Sequence, residues 1–331
     1  MDVLEAAERL GYPERDRTRF EGLRYGDLRL PDNAADLMAY CGVDPADQKE
    51  MLAARPDPDH EPEWWAVTAA LAGEIERDFD LPIPPTGFRG WPAVPRDASP
   101  VGLFAAAWAL LASVPRLCEL HARRGVPEAV TRTSVSALGG VMGTHRHLFG
   151  RSGVGLMSMW TPPLRFRGAD YEFGRHAFTR TQLGMGDDVS GYVLSLHIPP
   201  TGRLDAQASE ESIATAVESF KRWYPEEPVS AFVCHSWLLD PQLAEYLPPE
   251  SNIIRFQRRF DLLPYLPPDD PSDGDRELMR LGLQIAVPDH PLTEEDLAAV
   301  PQETTLQRAF VDHLRAGRHW HQRTGTLKTW S

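Results

Sequence analysis

The stretch VSAFVCHSWLLDPQLAEYLPPESNIIRF, Val229 to Phe256, decides how the rest of the chain is read. It opens on an apolar run rich in β-formers, the pattern of a buried strand. Cys234, His235 and Ser236 follow one another inside that run, with Trp237 behind them. A proline-bounded helical turn, Pro241 to Leu247, leads to a second β-rich run, Asn252 to Phe260, which reads as another strand. Strand alternation divides the reactive trio: Phe232, Cys234 and Ser236 share one face, and Val233, His235 and Trp237 share the other.

Working back, Ser209 to Tyr224 carries Ile213, Val217, Phe220 and Tyr224 at helical spacing, an amphipathic helix. Before it, GYVLSLHIPPTG alternates strictly, with Tyr192, Leu194, Leu196 and Ile198 opposed to Val193, Ser195 and His197. A strand, a crossover helix and a strand predict parallel pairing of the two strands. His197 and the Cys234–Trp237 segment would then share one sheet edge, where sites of open α/β sheets gather.

Further upstream the texture changes at Gly150. Leu156 to Trp160, Leu164 to Gly168 and Tyr171 to Leu183 are short aromatic and β-branched runs parted by turn residues, with Gly186 to Asp188 as the next turn. They read as an antiparallel meander. Residues 1–149 read as helices. Asp44-Pro45 is a cap with proline at the first helical position. Glu61 to Asp78 is amphipathic, Val101 to Val114 is a buried core helix bent at Pro115, and Pro127 opens a helix to His147. Leu81 to Asp97, with five prolines, is a long loop. Downstream come an acidic proline-rich loop, Leu266 to Asp275, a helix from Leu306 to Arg315, and a loose end. The expected architecture is α+β: a mostly helical domain over residues 1–149, then a mixed-sheet domain with flanking helices over 150–331.

The 331 residues hold 34 basic and 48 acidic side chains, a net charge of −14. That balance argues against nucleic acid or an anionic membrane as the main partner. The longest apolar run has 14 residues, too short to span a bilayer. Cys41, Cys118 and Cys234 form neither a disulfide framework nor a zinc pattern, so a cytoplasmic protein is expected.

The segments RGVPEAVTRTSVSALGG, FGRHAF, LSLHIPPTG, FVCHSWLLDPQLAEYLP and SNIIRFQRRF resemble, in order and spacing, a bacterial two-domain acyltransferase-like family. Its members pair a helical N-acyltransferase N-terminal domain with a C-terminal domain similar to the GCN5-related N-acetyltransferase (GNAT) fold. The resemblance implies an acyl-CoA co-substrate and acyl transfer to a small molecule. The chain departs from the GNAT pattern where that fold binds the CoA pyrophosphate. No Q/R-x-x-G-x-G/A loop stands between His197 and Ser209, and Asp205, Glu210 and Glu211 crowd the helix start. Those acids suit the helix dipole but repel a pyrophosphate.

Within that frame His197 is the candidate base for an attacking amine or hydroxyl, and Ser236 the acid or positioning group. Thr201, Gly202, Arg203 and Ser209 are the candidate cofactor-binding residues. Trp237, His235, Cys234 and Arg175 are the candidate substrate-binding ones. Each competes with a plainer role. Cys234 on an apolar strand reads better as a structural cysteine than as a nucleophile. Ser236 and His197 can equally be hydrogen-bonded within the sheet. Arg165, Arg167 and Arg175 form an anion patch or a solvated face. His145-x-His147 and His319-x-His321 read as solvated histidines rather than half of a metal site, and no metal is expected. The leading expectation is acyl transfer from an acyl-CoA or another acyl thioester to an amine or hydroxyl. The alternative is a non-catalytic small-molecule-binding or regulatory module on the same fold.

Overall fold

The computed structural model describes residues 1–23, 28–185, 188–199, 202–288 and 290–330. It divides into two compact units, Met1–Glu172 with Gly184–Val189, and Phe173–Leu183 with Ser190–Ser331. The expected turn at Gly186 lies outside the described residues.

The first unit is helical. Asp44 caps the helix Pro45–Ala53 by accepting from the Ala46 amide, with Pro45 at the first position as expected. Its centre is the 25-residue helix Pro100–Arg124, capped by Ser99 and stopped by Gly125 at φ 71°. It passes through Pro115 as one helix. This helix is long and apolar enough to cross a membrane, yet most of its apolar window is buried. It packs on the helix Pro62–Arg77 through a glycine contact. A Cβ at Gly102 would lie 2.3 Å from the Trp64 ring, so only glycine allows the approach. Trp108, Leu110, Leu111 and Val114 sit at zero exposure around it, each contributing roughly 1.5–3 kcal/mol by leaving water.

Three expected strands are not strands, the first of them, Leu156 to Trp160, being irregular apart from one bridge between Met159 and Trp91. Thr161–Phe166 is a helix with its prolines in the first turn, where no amide donor is needed. The Pro162-Pro163 pair opens a helix instead of parting two strands. Arg165 and Arg167 are therefore neither an anion patch nor a solvated face. Arg165, 7% exposed, lies 2.8 Å from Asp170 and 2.7 Å from Glu172. Arg167, 2% exposed, donates to Asp78 at 3.1 Å.

Six strands form one sheet in the order β1-β2-β3-β4-β6-β5. They are β1 Asp170–Phe173, β2 His176–Met185, β3 Asp188–His197, β4 Val229–Ser236, β5 Phe260–Leu262 and β6 Arg323–Leu327. β3 and β4 pair in parallel, as the strand–helix–strand order predicted, from Tyr192 opposite Val229 to Ser195 opposite Val233. The crossover helix between them, Ala206–Trp223, buries Ile213, Ala216 and Phe220. Asn252–Gln257, expected as a strand, is a helix because the Ser251 side chain accepts from the Ile254 amide and caps it. Only Phe260–Leu262 of that run is extended. The chain end is not loose: β6 pairs antiparallel with both β4 and β5. Trp237, Leu278, Phe310 and Trp320 share an apolar cluster in the second unit, and Ile198 packs against it.

Candidate active site

The parallel pairing puts the last residues of β3 and β4, His197 and Ser236, at one sheet edge. Among the described residues the paired register ends at Ser195 and Val233, short of both strand ends. β6 runs antiparallel to β4, with Arg323 opposite Ser236, so the segment leading into β6 reaches the same edge. One edge of the sheet thus gathers the ends of three strands.

His197 is half-buried. Ser236 is half-buried too, and its Oγ accepts the Leu238 amide at 3.1 Å, capping the short turn Trp237–Leu239. Because the oxygen is the acceptor there, the hydroxyl proton stays available for donation. Trp237 is 9% exposed and belongs to the apolar cluster, so it supplies wall and no polar contact. Its indole leaves room at position 282 for glycine only, since a Cβ there would lie 2.7 Å from the ring. His235 is exposed and its Nδ1 lies 2.8 Å from the Thr324 hydroxyl across the β4–β6 pair. Cys234 is fully buried, and burial pushes its thiol up to about 12. A thiol held there is protonated at neutral pH and is no nucleophile. Alternation on β4 is as expected, with Phe232 and Cys234 inside and His235 outside.

The loop after β3 is tied down by Arg175. This side chain, 9% exposed, donates from Nε to the Arg203 carbonyl at 2.9 Å and from Nη1 to the Pro199 carbonyl at 2.8 Å. Its role in the fold is thus to clamp the loop. Thr201 lies outside the described residues. Gly202 is exposed at φ 73°, in the region that favours glycine, and Arg203 is exposed beside it. Asp205 then caps the crossover helix by accepting the Ala208 amide at 3.0 Å. Ser209 faces inward at 1% exposure. Its Oγ lies 2.5 Å from Nε2 of the buried His176 and accepts from Arg259 at 3.0 Å. That hydroxyl is packed inside the domain and holds the helix in place. His176 is pushed down to about 3, first by burial and then by the Arg175 and Arg259 charges, so the ring is neutral.

Of the H-x-H pairs, His147 is exposed as expected and His319 is 46% exposed, whereas the other two histidines are partly or fully buried. His145 is fully buried, with Nδ1 2.8 Å from the Arg151 carbonyl and Nε2 accepting the Leu156 amide at 3.2 Å. His319 and His321 are held by two buried carboxylates that sequence reading had not singled out. Asp275 takes His319 Nδ1 at 2.6 Å, and Asp240 accepts the His321 amide at 2.7 Å. Arg259 was likewise missed as a neighbour of the crossover helix. Its partner Ser209 is 50 residues away, and no local pattern announces such a contact. Among the described residues no three His, Cys, Asp or Glu side chains gather as a metal site.

Residues 32–168 match the N-acyltransferase N-terminal domain, and residues 170–327 match the GNAT-like C-terminal domain. No curated protein matches the chain. Among solved structures, an acyltransferase in complex with CoA and 10C-teicoplanin is 32% identical with a TM-score of 0.83. An acyltransferase in complex with decanoyl-CoA and teicoplanin is 33% identical with a TM-score of 0.82. An acyltransferase mutant in complex with octanoyl-CoA is 32% identical with a TM-score of 0.83. Each likeness covers 99% of this chain and 99% of the other. This chain belongs to the acyltransferase family that joins an N-acyltransferase N-terminal domain to a GNAT-like C-terminal domain.

Proposed function

We propose that the chain transfers a fatty acyl group from acyl-CoA to an amine or hydroxyl of a small molecule related to teicoplanin. The observation that carries this reading is the end-to-end likeness to acyltransferases that hold decanoyl-CoA and teicoplanin. The sheet edge supports it chemically. The ends of β3 and β4 lie side by side at one edge of a mixed sheet, where open α/β folds place their ligands. The apolar cluster reached by Ile198 and Trp237 offers a surface for an alkyl chain, where each buried methylene is worth roughly 0.8 kcal/mol.

In this reading His197 accepts the acceptor's proton as nitrogen or oxygen attacks the thioester carbonyl. The C–S bond breaks, and the departing thiolate takes a hydrogen bond from the Ser236 hydroxyl. Base action of this kind is worth roughly 10²–10⁴-fold. The CoA phosphates meet no glycine loop. Exposed Arg203 and half-buried Arg259 are cations beside the crossover helix start, with Gly202 giving the loop its turn. Asp205 opposes them, so the cofactor is held by side-chain charge more than by helix amides. Three unpaired cysteines fit a reducing cytoplasm.

Calorimetric titration with decanoyl-CoA and with acetyl-CoA tests the reading, followed by turnover with teicoplanin. Binding of the longer chain in the micromolar range is expected, with H197A losing turnover while still binding. A folded protein that takes up neither thioester at millimolar concentration would sink it. The Asp205 cap favours a second reading, a non-catalytic module that keeps the fold. Tight binding of a teicoplanin-like molecule with no acyl transfer would select that one.

A further inference from the structure

His319 stands on the segment that leads into β6, at the sheet edge where His197 and Ser236 end their strands. Its side chain is 46% exposed, while its Nδ1 is held 2.6 Å from the carboxylate of Asp275, itself only 1% exposed. The other Asp275 oxygen accepts the Trp320 amide at 2.7 Å. A carboxylate that already accepts an amide and faces a ring nitrogen makes that nitrogen the donor. The neutral ring therefore carries its proton on Nδ1 and its lone pair on Nε2.

The backbone around it is over-determined. The His319 carbonyl accepts from Gln242 at 2.9 Å and from His313 Nε2 at 3.2 Å. His313 is buried and stacked on Trp320 at 4.0 Å, and its Nδ1 faces the Tyr246 hydroxyl at 2.9 Å. Gly274 presses against this segment so closely that a Cβ there would lie 1.9 Å from the Trp320 carbonyl. A buried acid orienting an imidazole whose second nitrogen opens outward is the arrangement of a fixed base. His145, by contrast, uses both nitrogens inside the protein.

We propose that His319, oriented by Asp275, takes the first proton from an acceptor ammonium before the thioester is attacked. The inference rests on the acyl-transfer reading and adds a step to it. An amine acceptor is protonated at neutral pH and has no lone pair to attack with. RNH3+ gives one proton to His319 Nε2 and becomes RNH2. The nitrogen then bonds to the acyl carbon, the C–S bond breaks, and the second N–H proton passes by way of His197 to the thiolate. The products are the amide, the free thiol of CoA and one proton, which the exposed His319 ring returns to water. The charges that face His319 are Asp275 on the short helix Asp273–Glu277, which takes up the end of the expected acidic loop, Asp270 just before that helix, His321 two residues on, and its neighbour Arg318, which is tied to Glu245.

The test is the pH profile of kcat/KM for decanoyl-CoA with amine acceptors, teicoplanin and glucosamine, in the wild type, H319Q and D275N. At pH 7, H319Q is expected to lose about 10²-fold, and D275N less. Both deficits should shrink as the pH rises toward the amine's own pKa, because a neutral amine needs no stripping. Decanoyl-CoA affinity should be unchanged in both. A deficit that stays constant across pH, or no deficit, overturns the proposal. If either variant fails to fold, 15N NMR of the wild-type ring decides: a lone pair on Nδ1 instead of Nε2 overturns it as well. A wild-type chain that binds no acyl-CoA brings down the acyl-transfer reading itself, a result distinct from a normal wild type beside an unimpaired H319Q.

Discussion

The chain carries the pattern His-x-His twice, and the two copies have opposite fates. His145 ends a helix of the first unit and is sealed in, with one ring nitrogen on the Arg151 carbonyl and the other on the Leu156 amide. His319 of the second unit spends one nitrogen on a buried carboxylate and leaves the other toward solvent. Neither pair binds a metal-like cluster among the described residues. What separates them is the second nitrogen. Saturated inside, a histidine is a strut that holds a loop. Oriented by an acid and open outward, it is equipped to move a proton.

Removing the strut should have the largest effect. H145A leaves the Leu156 amide and the Arg151 carbonyl without their partner and opens a cavity beneath Phe149, whose ring lies 5.0 Å from the imidazole. A loss of about 2–4 kcal/mol in unfolding free energy is expected from the orphaned groups and the lost volume. Denaturant titration reads it, and a cost below about 1 kcal/mol would erase the contrast with His319.

Next comes acid. His176 and His121 are pushed down to about 3 and about 4, first of all by burial. Above the ordinary histidine value both are neutral in folded and unfolded chains, and they contribute nothing to pH dependence. As pH falls below about 6.5, the unfolded chain takes up protons that the folded one refuses. Stability should then drop by up to about 1.4 kcal/mol per pH unit for each histidine until the folded values are reached. Urea midpoints measured between pH 7 and 4 check this slope. H121Q and H176Q should each flatten it.

The smallest effect belongs to His235, exposed and facing the Thr324 hydroxyl. H235A should cost less than about 1 kcal/mol by thermal unfolding. It should also leave decanoyl-CoA affinity in place. A tenfold fall in that affinity would move His235 into the same class as His319.

Much of this was readable in the chain, and the reason is locality. GYVLSLH and VSAFVCHS alternate over a few residues, and the helix between them is amphipathic within its own turns. Those patterns sufficed for the β3–helix–β4 unit and for bringing His197 and Ser236 to one edge. The same reasoning failed at TPPLRF, since a proline pair ends a strand or opens a helix with equal ease. It failed again at RTGTL, a strand with little apolar alternation that exists because β4 and β5 flank it. Arg165 and Arg167 looked like surface cations because their acids are recognised only once the helix turns them inward.

The sequence by itself determined the fold class, the parallel pair and the inertness of Cys234, because each follows from neighbours a few positions away. Tertiary structure alone decided which polar groups are satisfied. Asp275 lies 44 residues before His319, and Arg259 lies 50 after Ser209. Reactivity depends on what faces each nitrogen, oxygen and sulfur, and contacts across such separations are made only when the chain folds.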